Sequence, residues 1–160
     1  LLMTQPITDL KIILAKFFSG IVLVLFALLP TLIYYFSVYE LGLPKGNLDS
    51  GAIWGSYIGL LMLGGAFVAI GIFASSVTDN QIVSFILAVF LSFFMYMGFE
   101  LIYTFVLSGK AGLVIQSLGL SAHYSSVSRG VIDTRDMIYF LSVMAVFILL
   151  TKLSLEARKW

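Results

Sequence analysis

Two long stretches without charge, separated by three polar residues, constrain this chain more than any other feature. Residues 50–78 carry no charged side chain, Asp79-Asn80-Gln81 follows, and residues 82–99 are again free of charge. As a helix the first stretch rises ~43 Å at ~1.5 Å per residue, more than the ~30 Å hydrocarbon core of a bilayer. The second is close to the ~20 residues that one crossing needs. A connection this short makes long helices antiparallel neighbours. Thr78, Asp79 and Asn80 all favour the N-cap position, so the second helix can begin at once. The pattern predicts a membrane hairpin.

Composition excludes the competing picture of two helices buried in a soluble protein. The chain is 61% hydrophobic and 11% charged over 160 residues, with a mean hydropathy of +1.09. A soluble domain averages ~45–50% apolar and ~25% charged. A chain of this size has no polar shell able to cover so much apolar surface, so its solvent is lipid. A net charge of +1 offers no nucleic-acid footprint. The absence of cysteine removes disulfides, thiolate metal sites and cysteine nucleophiles.

Taken in order, residues 4–16 are amphipathic: Leu10, Ile13, Leu14 and Phe17 share a helical face flanked by Asp9 and Lys16, with Thr8 as N-cap after Pro6. They read as a short interfacial helix leading into a first span at 17–39. That span is too long for a signal-peptide core, and Pro30 sets a kink inside it. Residues 41–51 form a loop broken by Gly42, Pro44, Gly46 and Asn47. The hairpin supplies spans at 52–77 and 80–105. Residues 108–136, interrupted by Gly109, Gly112, Gly119 and Gly130, are too short in their apolar middle to cross and read as an outer re-entrant or interfacial helix pair. A last span at 137–155 is capped by Asp133 or Thr134, with Asp136 in its first turn. The expected fold is all-α: a polytopic membrane bundle of four transmembrane helices with these two additions, forming one domain over 1–160. The opening Leu1-Leu2-Met3 falls inside a pattern, which suggests that an N-terminal part precedes it.

Four crossings put both termini on one side. Lys11, Lys16, Lys152, Arg158 and Lys159 lie there, close to the membrane ends; Lys45, Lys110, Arg129 and Arg135 lie opposite. The positive-inside rule then places both termini in the cytoplasm. Tyr34, Tyr35, Tyr39, Tyr57, Tyr96, Tyr103, Tyr124 and Tyr139, with Trp54, all fall in the other half. This is either an ordinary interfacial belt or an aromatic surface lining a path for a bulky substrate.

Gly51, Gly55 and Gly59 recur at every fourth position, and Gly64, Gly65, Ala66, Ala69 and Gly71 continue the theme. In lipid such spacing allows close backbone approach, within the chain or across a subunit interface. Glu100 is an acid within an apolar segment and therefore a functional candidate, unless it snorkels or pairs with Lys110. His123, the sole histidine, has no other metal ligands spaced near it and reads as an interfacial loop residue. Arg129, Asp133, Arg135 and Asp136 are expected to hold the outer segment to the last span by ion pairs. Gly109-Lys110 lacks the upstream glycine and the following Ser or Thr of a P-loop. H-E-x-x-H and G-x-S-x-G are missing too, so hydrolytic chemistry has no motif to rest on.

Three stretches carry a family resemblance. Thr4-Gln5-Pro6-Ile7-Thr8-Asp9 followed by Lys16-Phe17, then the hairpin from Gly71 to Ile82, then Ser128-Arg129-Gly130-Val131-Ile132-Asp133-Thr134-Arg135-Asp136 together resemble the ABC-2 type permeases, most closely the gliding-motility-associated branch. The resemblance implies six spans in the full protein, of which the first two precede this chain, and a bacterial cytoplasmic-membrane location. It implies a separate ATP-binding subunit that carries ATP and Mg, no cofactor or enzymatic activity in this chain, and a second permease copy or paralogue. It also implies that residues 1–16 form a coupling helix, with Thr4, Pro6, Thr8, Asp9 and Lys11 facing the ATPase. Lys11 departs from the pattern, which expects Glu or Gln completing a capping box with Thr8. The implied function is ATP-driven export. The alternatives are a structural anchor for a motility or envelope complex and a membrane enzyme using Glu100 and His123, which requires those two within hydrogen-bond reach.

Overall fold

The computed structural model describes residues 8–106 and 110–157, all of whose regular elements are helical. Four helical stretches are long and apolar enough to cross a membrane: Asp9–Leu41, Ser50–Val77, Gln81–Phe105 and Thr134–Ala157. Among the described residues, then, four helices have the length and apolarity of membrane spans, as the apolar runs predict.

The first crossing is built from α1 (Asp9–Leu28), a 3-10 turn (Leu29–Thr31) and α2 (Leu32–Leu41). Residues 9–16 run into the rest of α1 without a break. Nothing between Asp9 and Phe17 interrupts helical geometry, so the amphipathic turns continue the transmembrane axis. Thr8 occupies the N-cap with extended backbone, although its side chain makes no capping bond. Thr4 and Pro6 lie outside the described residues. At Pro30 the helix tightens, and Thr31 Oγ1 donates to the Leu28 carbonyl at 2.6 Å while meeting Tyr57 Oη at 3.0 Å.

After a loop closed by the exposed Glu40–Lys45 pair, Asp49 caps α3 (Ser50–Val77) by accepting from the Ala52 N–H. The hairpin turn is as read from sequence: Asn80 Oδ1 accepts from the N–H groups of Ile82 and Val83 and starts α4 (Gln81–Phe93). A π-turn (Phe94–Gly98) leads into α5 (Phe99–Val106). The outer segment is a helix pair, α6 (Lys110–Gln116) and α7 (Leu120–Val127), before α8 (Thr134–Ala157) completes the bundle.

At the centre stands α3, which packs against α8, α4, α1 and α7. It buries mainly small residues, among them Gly55, Gly59, Gly65, Ala66, Ala69 and Ala74. The facing side of α8 buries Asp136, Phe140, Val143, Met144, Phe147 and Thr151, the three- and four-residue spacing of one helical stripe. Lipid tails remove the usual hydrophobic drive between such helices. Association rests on tight packing, which small residues permit. The core joins Phe17, Leu63, Ala66, Ile70, Leu120, Phe140 and Phe147 from α1, α3, α7 and α8.

Candidate functional site

Polar groups gather where α5, α7 and the start of α8 meet, at the end of the bundle away from the start of α1. His123 sits on α7 and Asp136 in the first turn of α8, and their Nδ1 and Oδ1 atoms are 2.6 Å apart. Their side chains are 14% and 9% exposed. The other ring nitrogen, Nε2, lies 2.8 Å from the Ser117 carbonyl oxygen. A carbonyl only accepts, so Nε2 donates in this bond, and Nδ1 and Oδ1 are joined by a second hydrogen bond. The imidazole stacks on Tyr139 with centroids 3.8 Å apart, and the Tyr139 hydroxyl donates to the Leu118 carbonyl. One turn of α8 thus holds the end of α6 and the middle of α7 together. Asp136 Oδ2 is buried without a hydrogen-bond partner.

This arrangement replaces the expected quartet of ion pairs. Asp136 takes a histidine rather than an arginine. Asp133 Oδ1 accepts from the Arg135 backbone N–H, an N-cap for α8, and Arg129 Nε donates to the Ser125 carbonyl. Each of these bonds stays local because residues 129–136 must turn a corner and start a helix. His123, expected in a loop, is helical and mostly buried.

Beside this knot lies a cavity of about 330 Å³ lined by Tyr96, Glu100, Gln116, Ser121, Tyr124 and Ser128, among others. Glu100 Oε2 accepts from Ser121 Oγ at 3.1 Å; the side chain of Lys110, its expected partner, lies outside the described residues. Burial, and then the neighbouring Tyr96, raise the Tyr124 hydroxyl above its ordinary value, so it remains a neutral donor. Glu100 and His123 are held by different partners, Ser121 and Asp136. Among the described residues no group of three histidine or acidic side chains could hold a metal.

The glycines divide. A Cβ on Gly55 would lie 2.8 Å from Gly130 Cα, and one on Gly59 would lie 3.0 Å from Val127 Cγ1, so both admit the α7 corner. Gly64 makes room for Val24 of α1, and Gly65 for Met144 of α8 and Ile21 of α1. Gly51 has only the Asp49 carboxylate near, and Gly71 has nothing within 4 Å. The seam therefore serves packing within this chain. Gly20, which faces Val68 just as closely, belongs to the same seam but stands alone in sequence. Of the outer aromatics, Tyr35, Tyr39, Trp54 and Tyr57 form a chain of ring contacts joining α2 to α3.

No family model, curated protein or solved structure matches this chain.

Proposed function

We propose that this chain is the membrane-spanning permease subunit of an ATP-driven transporter of the ABC-2 type, an exporter linked to gliding motility or the cell envelope. In this reading it lies in a bacterial cytoplasmic membrane with both termini cytoplasmic. It works with a separate ATP-binding subunit and a second permease copy or paralogue. The sequence resemblance supplies the class. The observation that supports coupling is the unbroken run of α1 from Asp9 into the membrane. A push on its first turns moves a single rod of 20 residues, ~30 Å long, rather than bending a joint. Gly64 and Gly65 seat Val24 and Ile21 of that rod against α3, so displacement passes directly to the centre of the bundle.

Co-expression with a candidate ATP-binding subunit and reconstitution in liposomes tests the proposal. Reversing the charge at Asp9 or Lys11 should leave helix content and ATP hydrolysis in place while transport falls about tenfold or more. Normal transport by these variants, or failure of any ATPase to co-purify, overturns it.

A structural anchor remains the second reading, favoured by one observation. The outer cavity and the cavity at the opposite end, lined by Ile12, Lys16, Gly71 and Thr151, share no residue. In the transporter reading, a second copy completes the path between them.

A further inference from the structure

The end of the bundle where α1 begins and α8 ends carries a groove of graded polarity. Two adjoining cavities, of about 280 and 540 Å³, share Ile12, Lys16, Val68 and Ile72 as walls. The larger follows α1 from Lys11 to Leu23, a distance of ~18 Å along a helix axis. One leaflet of a ~30 Å hydrocarbon core is ~15 Å deep. Lys16 stands ~8 Å below Lys11, so ~10 Å of the groove lies beneath both cations and holds part of one acyl chain. The floor of the smaller cavity is open at Gly71, where a Cβ would meet nothing within 4 Å. The groove opens sideways toward lipid, since Leu23 at its deep end is 70% exposed.

The charged residues of its walls are Lys11 and Lys16. Both are exposed, and the salt bridges among the described residues lie elsewhere, at Glu40–Lys45, His123–Asp136 and Lys152–Glu156. Cations near the interface, followed by mainly apolar walls of Ile, Val, Leu and Gly with Ser19, Ser75, Ser76 and Thr151 among them, form the complement of an anionic phospholipid. We propose that this groove binds one such lipid, its phosphate on Lys11 and Lys16 and an acyl chain lying between α1 and α3 over Gly71. A free phosphate would leave the apolar floor empty, and a zwitterionic lipid would gain less from two lysines.

Native mass spectrometry of the chain in detergent, titrated with dioleoyl phosphatidylglycerol or dioleoyl phosphatidylcholine, tests this. Near a surface each lysine contributes roughly a fivefold preference for an anionic lipid, so the glycerol lipid should be retained at roughly twentyfold lower concentration. Lys16→Gln should weaken its retention about fivefold and leave the choline lipid unmoved. Gly71→Leu fills the floor and should weaken both lipids about tenfold; since a Cβ there meets nothing, helix content by circular dichroism should be unchanged. Glycerol 3-phosphate should not compete. Equal retention of the two lipids, indifference to both substitutions, displacement by glycerol 3-phosphate, or a second copy of the chain bound in place of lipid would each overturn the proposal.

Discussion

The two arms of the central hairpin have the same solvent and nearly the same hydropathy, yet opposite surroundings. About a third of the apolar stretch of α3 is buried, against 6% for the span that contains α4. In α4, Ile82, Phe85, Ile86, Val89, Phe90 and Phe93 are all exposed. Apolarity does not decide which helix takes the centre, because lipid accepts both equally. Size decides it: the Gly and Ala positions of α3 admit neighbouring helices to backbone distance, whereas the Phe, Ile and Val surface of α4 meets acyl chains as well as it would meet protein.

Substitutions that abolish this contrast should rank by how much backbone they displace. The largest effect is expected at Gly130, which has φ +83 and whose Cβ would lie 2.5 Å from Ala52 Cα at the start of α3. Gly130→Val combines a strained conformation with a backbone clash and should cost about 4 kcal/mol, read as a lowered unfolding temperature in detergent. Next comes the polar knot. His123→Phe leaves Asp136, 9% exposed, buried without its hydrogen-bond partner and should cost about 3 kcal/mol; adding Asp136→Leu should restore most of the loss, because replacing a whole buried pair is often neutral. The smallest is on the lipid-facing arm. Phe90→Leu exchanges one apolar surface for another at a residue 63% exposed and should shift stability by less than about 0.5 kcal/mol. A large loss there would show that protein, not lipid, covers α4.

The four crossings and the hairpin cap at Asn80 were legible because they depend on local composition and on the three residues of a turn. The polar knot was not. His123 and Asp136 are 13 residues apart on different helices, and the arginines beside Asp136 are nearer in sequence. A useful signal was present: Tyr139 stands one helical turn after Asp136, on the same face, and both flank the only histidine. The glycine repeat was only partly informative. Spacing identified Gly55, Gly59, Gly64 and Gly65, but spacing alone cannot tell which helical face a neighbour occupies. Gly51 and Gly71 share the pattern and touch almost nothing, while the solitary Gly20 is closely packed. At residues 16 and 17 the helix is continuous, because amphipathic turns and an apolar helix can share one axis, and nothing in the residue pattern marks a bend.

The π-turn at Phe94–Gly98 has an effect on the outer half of its span. A π-turn closes its hydrogen bonds over five residues instead of four, so it inserts one residue into the winding, and one residue is worth about 100° of rotation. Without it Glu100 would point in a different direction and would not reach Ser121. A single inserted residue thereby turns a rod that greets fatty tails at one end into one that contributes a carboxylate to a polar chamber at the other.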